Sequence, residues 1–518
     1  MKIRKMLSLI LAVLMLLSCV PFASGALAAE NYPIVYLQGQ GQEIYDANGK
    51  CLYTNGHVPV QDGYLLDGVK KCMPDFIDAI LLGEWEEWHD SFMEIWEPIY
   101  KDIRLDNNGE PTNGTHGLWN LDTCRMDPFY DLGSYHMTTD WRLDPFYNAD
   151  ILNGFIQKVK AKTGASKVNL VARCEGTNIA MAYLAEYGYD DINCLELYIS
   201  SANGIDMIGA AFSGEFEFYP EELKDFYYNS DLEIGDENVS EVIDYALKWL
   251  VDSYGFEGVC SLLKKNAPKM YEKVIYDVLL SSYGTFPGIW SLVGPQYYPQ
   301  ARKVVFEGRE EEYAGLIEKI DRYDTEVRQR NDELLLEAKA AGVKIAVIVK
   351  YGEFTYEVPV CEECNDVSDD AVNAANASFG ATISDSKYVQ LPESYLAGAD
   401  EKYISPCKRI DASTCLLPDT TWFLYNCKHN DFSSSINVLL KKFLDANGEM
   451  TVDTFAEFPQ YIMFSPSGLR PMTEDDVLMD FEEQAQKDDS FFARIKRVFE
   501  SFIALIKKVF SMIFNSDK

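Results

Sequence analysis

Residues 168–184 read VNLVARCEGTNIAMAYL, and the reading of this stretch decides the fold. The run at 168–172 is apolar apart from Asn169 and of strand length, as expected for a strand buried on both faces. From Gly176 onward small and apolar residues recur at helical spacing, so a strand hands over to a helix within the tight turn Arg173-Cys174-Glu175. With serine at Cys174 and glycine at Ala172 this turn would spell G-x-S-x-G, the strained corner on which a nucleophile is exposed between a strand and a helix. A cysteine at the corner admits two readings: a working thiol, or a small buried residue on a scaffold that has lost its chemistry.

Working outward, strand-like runs occur at 34–37, 135–139, 168–172, 194–199, 343–350 and 421–425. Amphipathic helical patterns lie between them at 149–162, 179–187 and 436–444. Alternation of this kind predicts an α/β fold, with a mostly parallel sheet flanked by helices. The stretch 205–341 interrupts the rhythm with helical, aromatic sequence and no convincing strand. It reads as a helical cap inserted over the carboxyl ends of the strands, where open α/β sheets bind ligands; a separate helical domain is the rival reading. The chain then divides into 1–28, a core at 29–204, the insertion at 205–341, a second part of the core at 342–485 and a tail at 486–518.

Residues 1–28 have the layout of a secretory signal peptide, with Lys2, Arg4 and Lys5, an apolar run at 6–17 and Ala26-Leu27-Ala28. The expected product is secreted or associated with the cell envelope, with lipid attachment at Cys19 as the lesser alternative. The chain of 518 residues has 46 basic and 82 acidic residues, a net charge of −36, which disfavours nucleic acid as a partner. Of 12 cysteines, Cys19 falls in the leader, so an odd number remains and at least one is free or pairs between molecules. Cys174 is the candidate free thiol. Cys361, Cys364, Cys407 and Cys415 fit one or two disulfides better than a zinc site, because the second pair lacks the short ligand spacing. No cofactor or metal is implied. In the tail, Phe492, Ile495, Phe499, Phe502, Ile506, Val509 and Ile513 share one helical face opposite basic residues. Such a helix suits a membrane surface or envelope, or docking on the body or a second copy.

Nucleophilic chemistry on such a scaffold needs an oxyanion loop, a nucleophile, an acid and a histidine in chain order. Gly39, Gln40 and Gly41 follow the first strand, where the backbone N–H of Gln40 can partner that of Glu175 in holding an oxyanion. Of five histidines, His57, His89, His116 and His136 precede the corner. Only His429, in the turn after the run 421–425, falls in the expected order. Asp366, Asp369 and Asp370 are the acids on offer between them.

Residues 139–188 (TDWRLDPFYNAD through MAYLAEYG) resemble the matching segment of bacterial extracellular lipases and the lecithin:cholesterol acyltransferase family, within the α/β-hydrolase superfamily. The resemblance extends to SDDAV at 368–372, to LLPDTTWFLYNCKHNDF at 416–432 and to GTFPGIWSLVGPQYYP at 284–299, and so covers most of 33–445. It implies an α/β-hydrolase fold with Cys174 as nucleophile, Asp369 as acid, His429 as base and the backbone of Gln40 and Glu175 as oxyanion donors. It also implies that Asp140, Trp141 and Arg142 neighbour the site, with Gly39, Trp141 and Arg173 against the substrate. The departures are Cys174 for serine, Ala172 for glycine, Arg173 for histidine and Asp370 for glycine.

A thiol has an ordinary pKa of about 8.5, and a helix start and nearby cations favour the thiolate. The corner supplies the helix start, Arg173 the cation and His429 a proton acceptor, while Glu175 and Asp370 oppose. The expected activity is hydrolysis or transfer of acyl groups, with a small-molecule or lipid acyl substrate suggested by Tyr227, Tyr228, Phe286, Trp290, Tyr297 and Tyr298 in the insertion. A catalytically inactive binding protein of the same fold is the alternative.

Overall fold

The computed structural model describes residues 32–39, 42–54, 85–117, 126–127, 132–214, 276–353, 367–385, 389–465 and 467–476, with scattered helical positions at 68–83 and 258–265. One nine-stranded sheet organises them. Its strands are β1 (Ile34–Leu37), β2 (Met126–Asp127), β3 (Ser134–Met137), β4 (Val168–Arg173), β5 (Ile192–Tyr198), β6 (Lys344–Tyr351), β7 (Thr421–Tyr425), β8 (Tyr461–Ser465) and β9 (Gly468–Pro471). Across the sheet they run β2-β3-β1-β4-β5-β6-β7-β8-β9. The strands from β3 to β8 are parallel, and an antiparallel strand closes each edge.

Burial explains the runs. β4 and β7 are buried at every position, and so is β6 after Lys344, because helices cover both faces. On one face α2 (Pro145–Thr163) packs on α3 (Gly176–Tyr187), whereas Trp85 and Trp88 of α1 (Trp85–Tyr100) belong to a separate small core. α2 begins earlier than its apolar spacing indicates because the Asp144 carboxylate accepts from the Phe146 N–H at 3.0 Å and Pro145 takes the first turn. The sheet separates two cores. Leu170, Leu195 and Val347 face α2 and α3, whereas Val171, Tyr198 and Ile348 face the later helix α9 (Ser434–Asp445).

Between β5 and β6 every described element is helical: α4 (Asp206–Ser213), α5 (Pro287–Ser291), α6 (Tyr298–Phe306), α7 (Ala314–Glu326) and α8 (Asn331–Ala340), with short turns of helix between them. The expectation of one cap over 205–341 needs correction at 314–340. α7 and α8 pack on α3, and α8 also on β6, so they belong to the layer that covers the sheet. Consecutive parallel strands need such a crossover. Tyr227 and Tyr228 lie outside the described residues, as do the leader and the tail. Phe286, Trp290 and Tyr298 are buried core side chains rather than pocket walls, and the Trp290 indole N–H donates to the Gly284 carbonyl at 2.9 Å. Among the described residues no helix is long and apolar enough to cross a membrane.

Candidate active site

The site forms where β4 ends. Cys174 occupies the turn with a left-handed backbone (φ 51°), and its N–H donates to the Tyr198 carbonyl at 3.0 Å. Its carbonyl accepts from the Thr177 N–H at 2.8 Å and the Thr177 hydroxyl at 2.6 Å, which ties the strained corner to the first turn of α3. Two glycines allow this packing. A Cβ on Gly176 would lie 2.7 Å from the Leu37 carbonyl oxygen, and one on Gly39 would lie 2.7 Å from the Cys174 Cβ and 2.9 Å from the Arg173 carbonyl oxygen. The loop after β1 therefore presses its backbone onto the corner, with the Gly39 Cβ position 3.1 Å from the Glu175 nitrogen. Gln40 lies outside the described residues.

His429 and Asp369 reach Cys174 from the ends of two other strands. The chain leaves β6 and returns at 367–373, where the Asp369 carboxylate accepts from the Ala371 and Val372 N–H groups at 3.1 and 2.8 Å. Its other oxygen meets His429 Nδ1 at 2.8 Å, and the His429 N–H donates to the Asp369 carbonyl at 2.6 Å. With Nδ1 engaged, the other ring nitrogen is left for the Cys174 thiol, with which the imidazole shares a hydrogen bond. Cys174, Asp369 and His429 are thus brought together, each under a tenth exposed. Asp370 turns away with a left-handed backbone (φ 78°), its N–H donating to the Ser368 hydroxyl at 3.1 Å. Asp366 is outside the described residues.

The electrostatics favour charge separation. Burial alone would raise the Cys174 thiol, but the His429 charge and hydrogen bond, then Arg173 and the Glu175 N–H, hold it below its ordinary range. Burial would lower His429, yet Asp369 and then Cys174 push it up to about 10. Asp369 is opposed by its own burial and held low by His429, the Val372 N–H and Lys350. Asp370 is pushed up to about 6 by burial and the Asp369 charge. Cys174, His429 and Asp369 titrate as one coupled unit. The Glu175 carboxyl is raised well above its usual range by burial, then by Cys174 and Asp140, which favours its neutral form rather than a charge opposing Cys174.

Two expected substrate contacts place differently. Trp141 is fully buried, its indole N–H donating to the Gln42 carbonyl at 3.1 Å and its ring packed against Tyr53 and Phe286, so it is a strut behind the site. Arg173 turns its guanidinium to the turn after β7. Its Nη2 donates to the His429 carbonyl at 3.0 Å and to Asn430 Oδ1 at 3.2 Å. Asp140 and Arg142 form a wholly buried ion pair that also binds the Gly117 N–H and the Ile103 carbonyl, bracing the loop before α2. The eight cysteines among the described residues, Cys407 and Cys415 included, are free thiols; Cys361 and Cys364 lie outside them. Among the described residues no cluster has the donors for a metal ion.

Lys350 was missed by sequence reading. It is buried on β6, and the signal for it is a lysine inside the apolar run KIAVIVKY.

No family of known proteins matches the chain, and no curated protein matches it. Among solved structures, a chain of "The crystal structure of Tle4-Tli4 complex" is similar at 11% identity and a TM-score of 0.23, over 62% of this chain and 75% of that one.

Proposed function

We propose that this chain is a lipase-like or acyltransferase-like α/β-hydrolase that uses Cys174, His429 and Asp369 to hydrolyse esters or transfer acyl groups. The observation that carries the reading is the continuous contact from thiol to imidazole to carboxylate on three separate strand ends. The Cys174 thiolate attacks the acyl carbonyl, and the N–H of Glu175, with that of Gln40, holds the oxyanion. His429 then gives its proton to the leaving alkoxide, and a thioester to Cys174 remains. Neutral His429 next takes a proton from water or an acceptor alcohol, whose oxygen attacks the thioester and returns the thiolate. Asp369 keeps Nδ1 protonated throughout. The chain acts outside the cytoplasm after removal of 1–28, and residues 488–518 associate with a membrane surface or envelope; deleting them abolishes flotation with liposomes if this is right.

The test is turnover of p-nitrophenyl esters of increasing acyl length by the mature chain, with Cys174→Ala and Cys174→Ser alongside. Loss of turnover in the alanine variant supports the thiol route. Turnover by the serine variant alone means a hydrolase scaffold silenced at one atom. Absence of turnover in all three, with Cys174 inert to iodoacetamide, overturns the reading in favour of a binding protein of the same fold.

A further inference from the structure

At the carboxyl ends of β4, β5 and β6 three side chains stand abreast on the face covered by α9. Arg173 is in register with Tyr198, Tyr198 is in register with Ile348, and Lys350 lies one pleat further along. Above them runs the turn that carries His429. Lys350 Nζ donates to the carbonyls of Lys428 at 3.0 Å, His429 at 3.0 Å and Asp431 at 2.8 Å. Three carbonyl acceptors match the three hydrogens of an ammonium and favour the charged form, whereas burial lowers the Lys350 pKa. Arg173 holds the same His429 carbonyl and the Asn430 side chain, and its Nε has no partner among the described residues. The Phe432 ring closes over both cations, 4.7 Å from the Arg173 guanidinium and 5.9 Å from Nζ, while the Tyr198 ring lies 5.1 Å from Nζ. Both side chains are at least 95% buried.

Burying two like charges side by side is costly, and each alone would satisfy a turn that water or a neutral donor could satisfy as well. The arrangement gains its return at the nucleophile. The geometry points to Lys350 and Arg173 as positioning residues of the Cys174–His429 couple, which clamp the 428–431 turn so that the imidazole bridges Asp369 and Cys174. The inference rests on the reading of Cys174 as a nucleophile. It also accounts for the replacement of histidine by Arg173 beside a cysteine. The charged groups facing Lys350 are Arg173 from β4, Asp369 and Asp370 from the loop after β6, and Asp431 from the turn, with the Cys427 thiol and Tyr198 hydroxyl as further titratable neighbours. Those facing Cys174 are His429, Arg173 and Glu175.

The experiment is the rate of Cys174 alkylation by iodoacetamide from pH 4 to 10, in wild type, Lys350→Met, Lys350→Arg and Arg173→Gln, with ester turnover measured in parallel. The wild-type midpoint should fall well below the ordinary thiol value of about 8.5. Lys350→Met and Arg173→Gln should each raise the midpoint by about one pH unit, close to a tenfold loss of rate on the acid limb, and Lys350→Arg should restore most of it. A purely structural role would lower stability without moving the midpoint. Unmoved midpoints in folded Lys350→Met or Arg173→Gln overturn the inference. Should neither variant fold, a wild-type midpoint at or above about 8.5 overturns it and a low one supports it. Shifted midpoints without ester turnover keep the clamp and remove the acyl-transfer reading; turnover with unshifted midpoints does the reverse.

Discussion

Replacing Glu196 with glutamine should flatten the dependence of stability on pH. Glu196 lies in the middle of β5, fully buried on the α9 face between Val171 and Ala346, and neither carboxylate oxygen has a hydrogen-bond partner among the described residues. Burial raises its pKa well above the ordinary 4.5, so the folded chain keeps the proton that the unfolded chain releases. The unfolded state then binds fewer protons, and stability falls as pH rises above 4.5, at about 1.4 kcal/mol per unit while the folded carboxyl stays neutral. Between pH 5 and pH 7 the loss sums to about 2.5 kcal/mol after allowing for partial ionisation of the unfolded chain at pH 5. The glutamine variant lacks this slope. Glu175, Cys174, Asp369 and His429 also titrate differently on folding, but they remain in both proteins and cancel in the difference. The assay is urea unfolding at pH 5, 6 and 7, followed by tryptophan fluorescence. Because glutamine leaves a buried amide unpaired, its absolute stability is not the readout; the difference in slope is. Parallel curves, with the gap between the proteins changing by less than about 0.5 kcal/mol over the range, would refute the claim that Glu196 is buried and neutral.

Three further outcomes follow, two at the site and one in α2. Gly39→Ala places a Cβ 2.7 Å from the Cys174 Cβ and 2.9 Å from the Arg173 carbonyl oxygen, so the corner must shift; turnover should drop by about 10² or more and stability by about 1–3 kcal/mol. Gly154→Ala, with nothing within 4 Å of the new Cβ in the interior of α2, should match or exceed wild-type stability, and the contrast is read by thermal unfolding and ester turnover. Asp369→Asn removes the largest influence that raises His429 against its burial, so the alkaline limb of the pH–rate profile should move down from about 10. The rate should fall by roughly 10²–10⁴ as Nδ1 loses its acceptor, and an unmoved limb would separate Asp369 from the couple.

Much of the fold was legible because its signals are local. Parallel strands covered on both faces are continuous apolar runs, and VNLVA, KIAVIV and TWFLY stand out for that reason alone. The corner at Cys174 was legible because a strand, a tight turn and a small-residue helix must occur in immediate succession, and the glycines that permit it carry their own steric signature. The order of Cys174, Asp369 and His429 along the chain needed no structure, whereas the choice among Asp366, Asp369 and Asp370 turned on resemblance. Tertiary structure decided what depends on strand order and pleat. The segment 314–340 carries an ordinary amphipathic pattern, and only the need to cross from β5 to β6 makes it a layer helix. Trp141 and Arg173 flank the site in sequence but turn their side chains into the interior, because the chain direction at a strand end sets which way each residue faces. Lys350 stands 79 residues from the histidine it supports. No local pattern joins them. β6 must lie two strands from β4, with Lys350 and Arg173 on the same face, before two buried cations can meet under one turn, and that coincidence belongs to the assembled sheet.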